Sequence, residues 1–302
     1  MINTFYSVLP IFLVIMVGVA AKLYLISDEG FWRNCEKLTY YVLFPSLLIL
    51  KLSHADFNSI SMGYALSSII IATLVVGFIL IVFHHLKGTD NPLFTSVFQG
   101  GIRYNSYVFI AMSSSLFGDV GITLSAIIIA YMIIITNFVS VTVLGIYGTE
   151  KASVKTTVMS VMKNPLILAA LTGALFAYFK VPLNQTVENT MAYIGHAALP
   201  LSLLSVGAGL KFSIGKNRWL AVISSSAVKL LALPAIAISL LTFFGVTGTT
   251  KAISVLYAAV PCAGNAYILA RQMGGDAEVM ASIITMTTLM SILTMPFIML
   301  YA

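Results

Sequence analysis

Residues 100–107 read GGIRYNSY, set between LFTSVFQ (93–99) and VFIAM (108–112). Both flanks read as a helix in hydrocarbon, where each backbone group must be satisfied within the segment. An arginine and an asparagine do not belong in such a helix unless they face a cavity, since intramembrane ionisable residues are rare and line functional sites. The two glycines weaken helical structure by about 1 kcal/mol each. The stretch therefore predicts a spanning helix that is interrupted in mid-membrane and exposes a polar site.

The surrounding composition fits a membrane chain. Of 302 residues, 59% are hydrophobic and 9% charged, with mean hydropathy +1.00; a soluble domain carries roughly 25% charged residues. The net charge of +6 is scattered through loops with no basic block, which argues against nucleic acid as a partner. Cys35 and Cys262 lie in apolar segments with neither disulfide nor metal spacing, and no cofactor is expected. The N-terminal run has no Lys or Arg before its apolar part and is too long for a signal-peptide core, so it reads as a first span.

About 20 apolar residues cross a bilayer as a helix. Apolar runs fall at about 3–25, 33–52, 59–85, 93–117, 121–147, 163–180, 188–211, 217–245, 250–272 and 277–301. Ten spans are expected. Loops after odd spans hold eleven Lys and Arg, from Lys22 to Arg271; those after even spans hold Lys51, Lys180 and Lys251. That bias places the odd loops in the cytoplasm and both termini outside the inner (plasma) membrane.

The chain also nearly repeats itself. GIRYNSY (101–107) in span 4 and PCAGNAY (261–267) in span 9 each hold a helix breaker, an Asn four residues on and a Tyr two further. Each is followed by Gly-Asp, at 118–119 and 275–276. Pro45 and Pro200 match in spans 2 and 7, and Asn137/Ser140 match Thr288/Ser291 in spans 5 and 10. Four matches in one order predict a five-helix unit used twice, over 1–148 and 163–302, joined by a cytoplasmic linker at 149–162. Five is odd, so the second copy is inverted, a design of secondary transporters.

Spans 4 and 9 then run antiparallel, with breaks at Gly100-Gly101 and Pro261. Proline removes a backbone N–H and clashes with the preceding turn. A broken helix exposes free N–H groups and partial positive charge. Two such ends, joined by Arg103, suit a carboxylate. Asn105 and Asn265 are expected to cap the broken ends and contact the ligand. Tyr107 and Tyr267 supply hydroxyls or an apolar wall, or pack as core aromatics.

The whole chain resembles a bacterial member of the auxin efflux carrier family, related to plant PIN carriers and more distantly to bile acid–sodium symporter folds. The resemblance rests on YSVLPIFLVIMVGVAAK (6–22), LTYYVLFPSLLILKLS (38–53), NPLILAALTG (164–173), LPLSLLSVGAGL (199–210) and VPCAGNAYILARQMG (260–274). It implies ten helices in two inverted repeats, with spans 1, 2, 6 and 7 as scaffold and spans 3–5 and 8–10 as a moving core. It further implies elevator-like alternating access, organic-anion cargo, a substrate site at the crossover and often a homodimer through the scaffold helices. The family's crossover asparagines map onto Asn105 and Asn265, and its crossover proline onto Pro261. Span 4 departs, with Gly100-Gly101 where a proline is often found. The linker lacks the large cytoplasmic loop of the plant carriers.

Three further residues have two readings each. Lys229 lies roughly 18 Å into span 8 at 1.5 Å per residue, too deep for simple snorkelling; it contacts substrate or pairs inside the core. Asn137 either packs or joins the site. His196 either packs or couples protons. No Asp or Glu lies near a span's midpoint, which argues against a carboxylate proton relay or a carboxylate sodium site. Four scattered histidines and end-placed carboxylates form no catalytic or metal set, so an enzyme is not expected. A secondary carrier of organic anions of the carboxylate class, driven by membrane potential, is the expectation; a proton- or sodium-coupled carboxylate symporter or exchanger and an anion channel are the alternatives.

Overall fold

The computed structural model describes residues 2–55, 62–149, 159, 162–211 and 218–302. Most of the expected linker, with Lys151 and Lys155, lies outside the described residues, as do Asp56 and Lys216. Among the described residues the chain is all-helical with no strand.

The first part comprises α1 (Ile2–Tyr24), α2 (Glu29–Leu38), α3 (Phe44–Ser53), α4 (Gly63–Lys87), α5 (Asn91–Ile102) and α6 (Ser106–Tyr147). The second comprises α7 (Pro165–Tyr178), α8 (Gln185–His196), α9 (Ala198–Ala208), α10 (Trp219–Ala227), α11 (Leu233–Phe243), α12 (Gly248–Ala259), α13 (Ala266–Gln272) and α14 (Ala277–Ile298). Asp28 starts α2 by accepting from the Gly30 and Phe31 amides. Those bonds, Phe31's first, hold its carboxyl below the usual carboxylate range. One π-turn, Thr39–Leu43, joins α2 to α3 just before Pro45, and another, Val228–Ala232, joins α10 to α11 just before Pro234. Proline cannot complete the ordinary ladder, and a wider turn accommodates its ring without ending the helix.

Among the described residues, five helical runs are long and apolar enough to cross a membrane: Gly63–Lys87, Asn91–Tyr147, Gln185–Ala208, Trp219–Phe243 and Ala277–Tyr301. Val8–Tyr24 and Pro165–Tyr178 are shorter apolar helices. Large apolar side chains such as Phe78, Leu86 and Phe243 face outward, as lipid allows and water does not.

Asn91–Tyr147 holds 57 residues, about 85 Å if straight, against roughly 30 Å of hydrocarbon. It is broken twice. Residues 103–105 leave the helix. Gly118 then adopts φ 56°, ψ −139°, a region that favours glycine. A Cβ on Gly121 would run into the Ser113 carbonyl, yet residues eight apart in a straight helix are about 12 Å apart. The chain therefore doubles back at Gly118, dividing α6 into arms 106–117 and 119–147.

Packing sorts the helices into two sets. In one, α3 packs on α7 and α8, and α1 packs on α9. Small residues bring that last pair together: a Cβ on Gly207 would meet the Ile15 carbonyl, and one on Gly18 the Leu204 carbonyl. In the other, α4 packs on α11, α10 on α14, α5 on α10 and α14, and α12 on α6 and α11. The sets meet through α6 and α14. Lys51 on α3 pairs with Asp119 on α6 at 2.8 Å. Lys211, just beyond α9, exchanges backbone bonds with the Thr285 hydroxyl of α14 at 2.9 and 3.0 Å.

Candidate substrate site at the helix crossing

Two interrupted helices meet. After α5, Arg103 is extended (φ −77°, ψ 150°). After α12, Val260 is extended (φ −66°, ψ 152°), the conformation that Pro261 imposes on the residue before it. Between the breaks the Asn105 amide donates to the Pro261 carbonyl at 2.9 Å. Each interruption thus satisfies a backbone group that the other frees. Asn105 also caps the first arm of α6, its Oδ1 accepting from the Tyr107 and Val108 amides at 3.0 and 3.1 Å.

Arg103 is the centre of the site. It is 6% exposed, and Nη2 donates to Asn265 Oδ1 at 3.0 Å. Nε and Nη1 are buried with no hydrogen-bond partner among the described residues. No carboxylate among the described residues pairs with it. A buried charge without a counter-charge is costly, and an anion removes that cost. The crossing is approached from the side of Gly264 and Asn265, both exposed.

Asn265 does not cap α13: its backbone is helical and its side chain makes no cap bond. Its oxygen is committed to Arg103 instead. Tyr107 is half-buried and stacks on Phe44 of α3, centroids 5.0 Å apart and planes 4° apart. Tyr267 is half-buried, with Lys211 Nζ 4.4 Å from its ring centroid and 3.4 Å from its hydroxyl. Both tyrosines therefore join the crossing to the other helix set.

Gly100 and Gly101 require a correction. Both lie inside α5, which runs on to Ile102, so the break falls after them and they do not offer free N–H donors. Their role is close packing. A Cβ on Gly100 would run into the Ser225 hydroxyl and lie 2.7 Å from Ile283 Cγ2; one on Gly101 would lie 2.9 Å from Leu80 Cδ1.

Lys229 is fully buried in the second π-turn and donates to the Ala258 carbonyl at 3.0 Å. Ala258 is in the last turn of α12, where a cation offsets the negative end of the helix. Lys229 thus supports one broken end from beneath. Asn137 is half-buried on the long arm of α6, and His196 is exposed at the end of α8, which packs on α3 and α9. Neither makes a bond at the crossing.

Gln99 was not singled out by sequence reasoning. It is fully buried one turn before Arg103, and both its carboxamide atoms lack partners among the described residues. Its backbone carbonyl receives the Arg103 amide at 2.9 Å and the Cys262 thiol at 3.9 Å, which sets it against the crossing. Each unsatisfied buried polar group costs about 1–3 kcal/mol. No local sequence signal marked it, since it is uncharged and starts no helix.

Among the described residues no group of His, Cys, Asp or Glu is arranged to hold a metal ion. A family model described as Membrane transport protein matches residues 148–299, just over half of the chain. Two similar proteins are archaeal. An uncharacterized transporter of Methanothermobacter thermautotrophicus is 22% identical over 292 residues, 96% of this chain and 95% of the relative. An uncharacterized transporter of Methanocaldococcus jannaschii is 22% identical over 296 residues, 95% of this chain and 94% of the relative. These matches point to transport rather than catalysis, on an all-helical multi-pass membrane fold. The chain belongs to the membrane transport proteins of the auxin efflux carrier family.

Proposed function

We propose that this protein is a secondary carrier of organic anions that binds a carboxylate at the crossing. The observation that carries the reading is Arg103: buried, with two guanidinium nitrogens unpartnered and no carboxylate paired to it among the described residues. Asn265 orients the guanidinium, and Asn105 holds the end of the α6 arm beside it. Lys229 adds a buried amine behind α12, bonded to the Ala258 carbonyl.

Alternating access follows from the two helix sets. The set containing α1–α3 and α7–α9 is the scaffold, and the set containing α4–α6 and α10–α14 is the moving core. Ten spans in two inverted repeats agree with the paired interruptions at 103–105 and 260–265, each followed by a return at Gly118 or Gly274-Gly275. Homodimerisation belongs to the scaffold faces, and the positive loops belong in the cytoplasm, with both termini outside the plasma membrane. Arg103 supplies a permanent positive charge, so no coupling ion is needed. An anion leaving a negative interior then gains about 2.3 kcal/mol per charge per 100 mV.

Solute counterflow in proteoliposomes tests this reading. A carrier shows uptake of labelled carboxylate stimulated by unlabelled carboxylate inside; Arg103→Ala, folded by size exclusion, is expected to abolish it. A flux without trans-stimulation identifies a channel. A strict requirement for a sodium or proton gradient identifies coupled transport.

A further inference from the structure

We propose that Gln99 is a specificity-determining residue, reading a neutral hydroxyl next to the carboxylate on Arg103, so that the cargo class is small 2-hydroxy acids. The inference rests on the carboxylate reading above and deepens it.

Gln99 lies in the last turn of α5 and Arg103 follows the end of that helix, its amide donating to the Gln99 carbonyl at 2.9 Å, while the Cys262 thiol of the second interruption reaches the same carbonyl at 3.9 Å. Gln99 is fully buried, and among the described residues neither Nε2 nor Oε1 has a partner. Buried carboxamides in folded proteins are almost always bonded to protein or to water, so a pair of orphaned atoms marks a place where something else binds. Two unpartnered guanidinium nitrogens lie one turn away.

The chemistry of the two groups differs. The guanidinium only donates, which matches a carboxylate. The carboxamide donates through Nε2 and accepts through Oε1, and a second carboxylate oxygen would leave its acceptor unmatched. A hydroxyl both accepts and donates, so it satisfies both carboxamide atoms. The backbone bond from the Arg103 amide to the Gln99 carbonyl keeps the two residues close along the chain, which suits a hydroxyl near the carboxylate rather than at the far end of a long cargo. A site built to bond a hydroxyl also rejects the analogue lacking it, because its own polar atoms are then left unpaired.

Matched acids test the proposal: L-lactate against propionate, and L-malate against succinate. Each is titrated against the full-length detergent-solubilised protein, and affinity is taken from the ligand-induced rise in unfolding temperature. In at least one pair, wild type is expected to bind the hydroxy acid at least tenfold tighter. Gln99→Met is expected to remove that ratio by weakening the hydroxy acid alone. If that variant does not fold, Gln99→Asn, which withdraws the carboxamide by one methylene, is read in the same way.

A wild-type ratio near one in both pairs, or a ratio that survives in the variant, overturns the assignment of Gln99. Loss of all acids in Arg103→Met alongside either result leaves the carboxylate reading standing. Binding that persists in Arg103→Met, or no binding of any acid to wild type, overturns the carboxylate reading and the Gln99 inference with it.

Discussion

Asn105 and Asn265 occupy matching places in the two repeated motifs and do different work. Asn105 closes a helix end through two amides, whereas Asn265 gives its oxygen to Arg103. Replacing Asn105 by Ala should cost about 1 kcal/mol of stability, the usual worth of such a cap. Replacing Asn265 acts through Arg103 alone, so a double-mutant cycle of Asn265→Ala with Arg103→Met should give a coupling of about 0.5–3 kcal/mol by chemical unfolding. Additive effects would show that the two side chains do not share an interaction. The cap was legible because Asn before an apolar helical run is a start signal. Arg103 was legible because a charge in hydrocarbon demands a reason. Gln99 carries no charge and begins no helix, so nothing local distinguished it from a packing residue. The stack of Tyr107 on Phe44 was not legible either, since it depends on how α3 lies against α6.

At the scale of elements, sequence reasoning found the interruptions but misplaced one. Glycine lowers helix propensity, and Gly100-Gly101 drew the break to themselves. Tertiary packing overrides that preference: both positions are where α5 approaches its neighbours, and the helix ends only where the Arg103 backbone becomes extended. Elsewhere an added Cβ would meet a close neighbour at some described glycines and open space at others. Gly207→Val should drive α9 away from the Ile15 carbonyl and yield no monodisperse protein. Gly145→Ala, with nothing within 4 Å of the added Cβ, should preserve the fold and add about 0.5–1 kcal/mol of stability. Equal stability in the two variants would contradict the close α1–α9 approach. The π-turns before Pro45 and Pro234 were outside the reach of sequence patterns, because a proline in a span signals a distortion without saying which kind.

For the whole molecule, membrane class was legible from composition, because so few charges remain for so much apolar surface. The two helix interruptions, at 103–105 and 260–265, were legible because two similar motifs hold a helix breaker, an Asn and a Tyr at the same spacing. Which helices touch was not legible from residue patterns, since it depends on contacts far apart in the chain. In the proposed mechanism these sets move past each other, while Lys51–Asp119 and Lys211 with Tyr267 and Thr285 hold the arrangement seen here. The central claim is that a buried, unpaired guanidinium at the crossing awaits an anion. Thermal unfolding of the solubilised protein in a series of carboxylates tests it most directly. A ligand at one hundred times its dissociation constant should stabilise wild type by about 2.7 kcal/mol, and Arg103→Met should lose that stabilisation entirely. A carboxylate that stabilises both proteins equally would contradict the account.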